Sequence, residues 1–374
     1  MAWTDPSACS SWSSIARPAS TRGAELPLAD VDELPLPSHV DLDRVGEVWR
    51  VEYKERFRDA LAWADEHGLA PAASDETRIC LLAVDVQNTF CTPGFELFVG
   101  GRSGTGALDD NRRLTEFVYR NLGSISRTLV TMDTHQAFQI FHAPFLIDDE
   151  GRHPDPYTLV TETDVASGRW RVDHDVAAAL DLASAYADAH LRGYVEALAS
   201  GNKFDLTIWP FHAMLGSIGH ALVSSLEEAF FFHAVARRSQ TRFALKGRNP
   251  LTEHYSVFGP EVREGPHGES LGERNAALVR ALLDFDVVIV AGQAKSHCVS
   301  WSIDDLLRAA PELAPRLYLL EDCSSPVVVQ GAVDYTENAD EAFSRFAAVG
   351  AHVVRSTEPI ASWPGPVGAV TSPR

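Results

Sequence analysis

Six short runs of apolar residues, rich in Val, Ile and Leu, recur along the chain without the polar alternation of a half-exposed strand. They occupy residues 78–85, 127–133, 241–246, 286–292, 316–322 and 351–356. Continuous apolarity over so few residues is typical of strands that are covered on both faces. The pattern therefore predicts buried parallel strands.

Between these runs lie segments whose apolar residues recur at helical spacing. They occupy residues 109–123, 219–237, 273–285 and 340–350. Strand and helix therefore alternate along the chain, which is the order expected of an α/β fold with right-handed crossovers.

Two parts of the chain do not follow this alternation. Residues 1–75 begin with a Ser/Pro-rich arm and continue into a stretch with helical spacing, which predicts a mobile arm and a docked helical extension before a main domain at 76–374. The second part, about residues 143–206, separates the second and third predicted strands. We expect this insertion to cap a functional site, because long connections often cover one and because it joins two strands whose carboxyl ends carry candidate ligands.

Composition narrows the classes of partner. The chain has 52 acidic and 32 basic residues, a formal net charge of -20, which argues against nucleic acid or an anionic membrane and favours a small-molecule substrate. Its five cysteines show no paired CxxC spacing, as expected in a reducing cytoplasm. No exported leader or membrane span is predicted.

Reactive side chains lie where the predicted strands end. Asp85 ends the first, Asp133 the second and Lys246 the third, while the fourth leads through "GQAKSH" to Cys298. Singly, each has an ordinary structural explanation; together they supply an acid, a base partner and a nucleophile at one sheet edge. Cys298 precedes a helical segment, whose N-terminus should favour the thiolate. Asp85 can accept the thiol proton and Lys246 can stabilise the charge, as in a Cys-Asp-Lys amidase.

Asp133 also belongs to a second group of candidate residues. Asp133 and His135 are two residues apart, so an extended strand end places both side chains on one side. His212 is the natural third ligand of a metal and His142 a possible fourth. Such N and O ligands suit a divalent metal ion, and they do not choose among zinc, iron and manganese.

Four motifs now occur in a recognisable order. They are "AVDVQNTFCTPG", "TMDTH", "WPFHAMLGSIG" and "AGQAKSHCV", with "ALKG" between the last two. From about residue 78 to 356 the chain resembles the isochorismatase-like cysteine hydrolases, and among them it is most similar to the nicotinamidases (pyrazinamidases). The resemblance implies a three-layer sandwich with a six-stranded parallel sheet, a catalytic triad of Asp85, Lys246 and Cys298, and a homo-oligomer.

The same resemblance implies a metal site and a substrate pocket. It makes Asp133, His135 and His212 metal ligands, and Phe90 and Trp209 ring-binding residues. It also implies a cis peptide between Gln293 and Ala294, which points the N–H groups of Ala294 and Cys298 at an oxyanion.

The function expected is a metal-dependent amidohydrolase that releases ammonia from nicotinamide or a similar heteroaromatic amide through a thioester. The alternatives are a family amidase that acts on a ureido, carbamoyl or aliphatic amide without metal, and a non-catalytic binding member. Three departures from the family pattern bear on the pocket: Thr89 in place of a second acid, Lys295-Ser296 in place of Thr-Asp, and the seven-residue spacing from His135 to His142.

Overall fold

The computed structural model describes residues 33–367. The predicted N-terminal arm falls largely on residues 1–32 and therefore lies outside the described residues, as does Cys9.

The described residues form twelve strands: β1 (Ile79–Val84), β2 (Ile125–Asp133), β3 (Leu146–Ile147), β4 (Leu159–Val160), β5 (Arg171–Val172), β6 (Leu206–Thr207), β7 (Arg242–Lys246), β8 (Val287–Gly292), β9 (Leu317–Leu320), β10 (Val328–Val329), β11 (Val333–Asp334) and β12 (His352–Val354). Within the same range there are ten α-helices: α1 (Tyr53–Glu66), α2 (Asn88–Cys91), α3 (Gly106–Arg120), α4 (Glu162–Ala166), α5 (His174–Ala179), α6 (Ser184–Ser200), α7 (Ser224–Ala236), α8 (Ala276–Leu283), α9 (Ser300–Ala309) and α10 (Thr336–Ala348).

Six of the strands form one sheet in the order β12-β9-β8-β1-β2-β7, and every neighbouring pair is parallel. All residues of the two central strands, β1 and β8, are buried. This burial accounts for their unbroken apolar sequences, because a strand with helices on both faces has no solvent side. The predicted α/β fold with a six-stranded parallel sheet is confirmed.

The direction of the crossovers places the helices in two layers. Helices α3 and α7 connect β1 to β2 and β2 to β7, moving one way across the sheet, whereas α8, α9 and α10 make connections that move the other way. Right-handed crossovers in opposite directions cover opposite faces of a sheet. The result is the three-layer sandwich that the sequence resemblance implied.

The helical extension packs on the layer formed by α3 and α7. Arg56 of α1 lies with its Nε 3.1 Å from a carboxylate oxygen of Glu228 on α7, and His39 packs its ring against Tyr119 and Phe232. No helix in the described range combines the length and apolarity needed to span a bilayer.

The insertion carries α4, α5 and α6 together with three of the short strands. Within the alanine-rich residues 173–201, α5 ends at Ala179 and α6 begins at Ser184, with Asp181 at φ +59° between them. Helix α6 packs beside the loop that follows β7: the Tyr194 hydroxyl accepts the N–H of Glu253 at 2.8 Å, and His190 Nε2 donates to the Leu251 carbonyl at 2.7 Å. The insertion therefore supports the chain that leaves β7.

Candidate active site

The site lies at the carboxyl edge of the four adjacent strands β8, β1, β2 and β7. Asp85 follows β1 directly, Asp133 is the last residue of β2, and Lys246 is the last residue of β7. Because parallel strands end at the same edge, residues far apart in sequence meet here. The structure thus brings together the groups that the strand-end pattern singled out.

Lys246 joins these groups through its ammonium nitrogen. Its Nζ lies 3.0 Å from Asp85 Oδ2 and 2.9 Å from Asp133 Oδ1, and it lies 3.4 Å from Cys298 Sγ. The residue is only 3% exposed. Burial by itself favours a neutral amine, but Asp133 and Asp85 outweigh it and raise the pKa of Lys246 well above its usual value. Lys246 is therefore a fixed cation.

Asp85 is a buried carboxylate that contacts Lys246. It adopts φ +46°, a left-handed conformation that is unfavourable for a residue with a Cβ, and Thr131 fixes it by accepting from its N–H at 3.0 Å and donating to its carboxylate at 2.5 Å. Complete burial raises the pKa of Asp85, and Lys246 only partly offsets this. A carboxylate with raised proton affinity is suited to serve as a base.

Cys298 lies in a π-turn, Lys295–Val299, that runs directly into α9. Its Sγ lies 3.4 Å from Lys246 Nζ. Burial, to which Asp85 adds, raises the pKa of the thiol well above its usual value, even though Lys246 favours the thiolate. Burial thus opposes the thiolate that the start of the helix and Lys246 favour.

A second group of side chains adjoins the first through Asp133. One ligand atom each from Asp133, His135 and His212 lies within 4.8 Å of the others, and all three residues are buried. His135 Nε2 is 2.8 Å and His212 Nε2 is 3.6 Å from the same oxygen, Asp133 Oδ2. Burial opposes the ionised carboxylate, but His135 and Lys246 outweigh it and hold the pKa of Asp133 well below its usual value.

The orientation of the histidines shows whether these residues fit a metal. Nδ1 donates to a backbone carbonyl in each ring: His135 to Gly247, His212 to Pro210, and His142 to Gln136 and Ala137. This leaves Nε2 as the nitrogen that faces inward, which is how backbone partners orient metal-binding histidines. The donor set therefore fits a divalent metal ion.

His142, the predicted fourth ligand, lies beside the three-residue group. Its ring centre is 6.0 Å from that of His135 and 5.8 Å from that of His212. Its Nε2 is buried without a hydrogen-bond partner among the described residues. Burial, followed by the two neighbouring histidines, lowers the pKa of His142 to about 3. The ring is therefore neutral, with a free lone pair on Nε2.

Gly247 leaves room for the proposed metal ligands. Its φ is +82°, and a Cβ at this position would lie 2.5 Å from His135 Cε1 and 2.7 Å from Asp133 Oδ1. Distances below 3.0 Å are not tolerated by these atoms, so only glycine fits. Lys246 thus supplies the cation, and the adjacent Gly247 leaves the space beside it.

Two aromatic side chains pack against histidine rings at the site. The buried Phe90 packs edge-on against His212 at 5.6 Å between ring centres. Trp209 lies 5.5 Å from the ring of His297, the residue before Cys298, and its Nε1 donates to the Tyr255 hydroxyl at 3.1 Å. Of the predicted ring-binding residues, Phe90 thus contacts a histidine of the proposed metal group, and Trp209 contacts the residue before Cys298.

The bond between Gln293 and Ala294 is cis, as the sequence resemblance implied. The Gln293 N–H donates to the Val84 carbonyl at 2.8 Å, and the Lys295 N–H donates to the Ser325 carbonyl at 2.8 Å. The Ala294 N–H between them has no hydrogen-bond partner among the described residues. It remains available for a ligand oxygen.

Sequence reasoning missed three polar residues around the site. Glu253 is completely buried, and burial raises its pKa to about 8, while His135 opposes this shift. Gln87 holds the backbone of Asp133 at both ends, with its Nε2 2.9 Å from the carbonyl oxygen and its Oε1 2.7 Å from the N–H. His297 presents an unpartnered, buried Nε2. Gln87 and His297 lie inside recognised motifs, whereas Glu253 lies in a loop that gave no signal.

No protein-family model and no curated protein matches the chain. Solved structures to which it is similar include an Acinetobacter baumanii nicotinamidase/pyrazinamidase (18% identity, TM-score 0.45, 75% of this chain and 97% of that one) and the yeast nicotinamidase Pnc1p (18%, TM-score 0.45, 74% and 99%). Another is a Pyrococcus horikoshii pyrazinamidase in complex with zinc (17%, TM-score 0.41, 74% and 99%). These values are too low to transfer a substrate or a metal. In structure, then, the chain is similar to nicotinamidases and pyrazinamidases, the same group that its motifs resemble.

Proposed function

We propose that this protein is a metal-dependent cysteine amidohydrolase that converts nicotinamide or a similar heteroaromatic amide into the acid and ammonia. The observation that carries the proposal is the buried position of Lys246 Nζ, 3.4 Å from Cys298 Sγ and 3.0 Å from Asp85 Oδ2. A fixed cation thus contacts both the proposed nucleophile and the proposed base. This is the set of groups that acyl transfer through a thioester requires.

The first step generates the nucleophile inside the site. Because burial raises the pKa of both the Cys298 thiol and the Asp85 carboxyl, the proton passes between groups of raised proton affinity. Asp85 takes the proton as Cys298 Sγ forms a bond to the amide carbon. Lys246 stays protonated and balances the negative charge that moves from the carboxylate toward the sulfur and the carbonyl oxygen.

The tetrahedral intermediate then loses ammonia. The Ala294 N–H, together with that of Cys298, donates to the oxyanion, and one such donor is worth roughly 3 kcal/mol in related sites. Asp85 returns its proton to the leaving nitrogen. Water then attacks the thioester, with Asp85 again as the base, and releases the acid and the free thiol.

The proposed metal is held by Asp133, His135 and His212, with His142 as a further candidate. When bound, such an ion supplies a positive centre that can bind a ring nitrogen and water. Phe90, Trp209 and the neutral His297 offer flat surfaces to a heteroaromatic ring. Nicotinamide is the first amide to test because the sequence motifs resemble nicotinamidases.

The test is ammonia release from nicotinamide, pyrazinamide, benzamide and N-carbamoyl and ureido compounds, with metal content measured on the same samples. Wild type is compared with Cys298→Ala, His212→Ala and, as a matched control, Cys80→Ala, which removes a buried thiol in β1 away from the site. We expect turnover of nicotinamide that is lost with Cys298 and falls with metal content in His212→Ala. Cys80→Ala retains turnover.

Two results would contradict the proposal. Turnover of a ureido or aliphatic amide by metal-free protein would be consistent with the proposed catalytic triad. It would contradict both the proposed substrate class and the proposed metal dependence. Full turnover by Cys298→Ala, or none by metal-loaded wild type on the whole panel, removes the amidase assignment.

A further inference from the structure

The turn that precedes the nucleophile is held by a side chain as well as by its backbone. Gln293 is completely buried, and both polar atoms of its side-chain amide are hydrogen-bonded. Nε2 donates to Asp110 Oδ2 at 2.8 Å, and Oε1 accepts the Ser325 N–H at 3.2 Å. The neighbouring Gly292 carbonyl accepts from the Ser324 hydroxyl at 2.7 Å. The turn is thus fixed between α3 and the chain that follows β9.

Asp110 is the charged member of this network, although it lies outside the proposed catalytic groups. It is 3% exposed on α3, and its second oxygen, Oδ1, accepts from Arg113 Nη2 at 3.1 Å. Arg113 in turn donates through Nε to the Asp322 carbonyl at 2.5 Å. Burial raises the pKa of Asp110 to about 6, so at pH 8 the carboxylate is ionised and accepts the Gln293 bond.

A buried amide with one free end costs roughly 1–3 kcal/mol, and a carboxylate acceptor makes a bond about twice as strong as a neutral one. Asp110 therefore restricts the Gln293 side chain to one orientation. Gln293 is joined to Ala294 by the peptide bond whose N–H lacks a partner among the described residues. A change in the backbone torsion angle ψ of Gln293 changes the direction of that N–H.

We propose that Asp110 is a positioning residue: through Gln293 it holds the Ala294 N–H toward the oxyanion formed at the carbonyl attacked by Cys298. This inference rests on the proposed amidase function. It assigns to α3 a part in the reaction that neither the strand-end pattern nor the motifs indicated. Asp110 touches no reacting atom and acts only through the turn.

The test uses the metal-loaded full chain at pH 8 and the best amide of the panel. The variants are Asp110→Ala, Asp110→Asn, Gln293→Leu and the double variant Asp110→Ala/Gln293→Leu. For each, kcat and KM are measured, with the inhibition constant of the aldehyde analogue of the amide and the dissociation constant of the acid product. The aldehyde reports on the oxyanion site, since the thiol adds to it to give a tetrahedral adduct, whereas the acid reports on the ring pocket.

We expect Asp110→Ala to lower kcat about 10- to 100-fold and to raise the inhibition constant of the aldehyde by a similar factor. The reason is that a misdirected hydrogen-bond donor loses most of its effect on the oxyanion. KM and acid binding change less than about twofold, since the ring contacts remain. Asp110→Asn keeps an acceptor oxygen and stays within about fivefold of wild type. In the Gln293→Leu background, Asp110→Ala adds less than about twofold, because the residue through which it acts is gone.

Asp109→Asn is the matched control, since this neighbour on α3 bonds Thr105 and not the turn; it should leave every constant unchanged. An unchanged kcat in Asp110→Ala overturns the inference, as does an equal loss with and without Gln293. If the aldehyde and the acid product both bind more weakly by the same factor and the melting temperature falls, Asp110 has only a general structural role. This result also overturns the inference. If wild type releases no ammonia from any amide, the proposed function itself fails.

Discussion

Lys246 lies between two buried carboxylates, and this determines what its removal does. In Lys246→Met the carboxylates of Asp85 and Asp133 lose the ammonium group that lies 3.0 and 2.9 Å away. Leaving buried charge uncompensated costs about 3–5 kcal/mol. We therefore expect a lower urea midpoint as well as loss of activity. Adding Asp85→Asn removes one of these charges and should restore part of the stability; a Lys246→Met protein as stable as wild type would contradict the role of Lys246 as a cation between two anions.

Gly247 tests the space beside the proposed metal. Gly247→Ala places a methyl group 2.5 Å from His135 Cε1, whereas Gly104, with nearly the same φ (+81° against +82°), has nothing within 4 Å of a Cβ. Both substitutions should cost about 1–2 kcal/mol for the left-handed backbone. Only Gly247→Ala should also weaken Zn²⁺ binding, by tenfold or more in calorimetric titration, since about this much is lost when residues that orient metal ligands are changed. Equal Zn²⁺ affinity in the two variants would show that the ligands have room to move.

At the scale of single residues, the sequence identifies residues that end strands and misses residues that are held by distant elements. Asp85, Asp133 and Lys246 could be found because strand ends are visible in the apolar pattern. Asp110 and Glu253 could not, since they meet the site only through tertiary contacts. The direction of the pKa shift of Cys298 was also out of reach, because it depends on burial, which no local pattern reports.

At the scale of elements, the insertion supports the loop after β7 through α6. Tyr194→Phe leaves the buried Glu253 N–H without its acceptor, which should cost about 1–3 kcal/mol and lower kcat by loosening the loop. Tyr186→Phe is the control, because its hydroxyl on the same helix bonds Glu269, away from the site. Thermal unfolding and turnover of both variants check this; equal losses in the two would show that α6 acts only through packing.

The docking of the extension should depend on pH through His39. Burial lowers the pKa of His39 to about 4, with Arg56 adding to this and Asp59 opposing it; its ring contacts are Tyr119 on α3 and Phe232 on α7. Because the unfolded chain binds the proton more readily, this contribution is present above pH 6.5 and is lost as the pH falls toward 4. The stability difference between wild type and His39→Gln should therefore shrink from pH 7 to pH 5. A difference that is constant across this range, in urea titrations, would show that His39 titrates normally.

The elements themselves were largely predictable. Every predicted strand of the main sheet exists, with its ends within a few residues of the apolar run, and the helices at 109–123 and 219–237 appear as α3 and α7. The break between α5 and α6 was not predicted, because alanine-rich sequence continues through Asp181 without a glycine or proline. The predicted cap over the site stays a prediction.

At the scale of the whole molecule, the proposed metal links segments on either side of the insertion. Asp133 and His135 precede it, and His212 follows it. Binding to the folded state alone stabilises by about 2.7 kcal/mol at a free metal concentration 100 times the dissociation constant. Zn²⁺ should therefore raise the melting temperature of wild type and not that of Asp133→Asn. A rise of equal size in both would place the ion elsewhere.

Sheet order could not be taken from the apolar pattern, because six buried runs are compatible with many arrangements. The resemblance of the motifs supplied the number of strands and the layers. Oligomeric state and cellular location remain predictions from the sequence.

The central strand β1 has one neighbour, β2, that follows it closely and another, β8, whose start lies about 208 residues later, as the bond from Arg78 to Asp286 shows. Closing so long a loop costs entropy before any contact repays it, which slows folding. On the ribosome, Asp85, Asp133 and Lys246 are all synthesised before β8 and the turn that carries the thiol. The proposed active site is therefore complete only once β8 has joined β1 in the middle of the sheet.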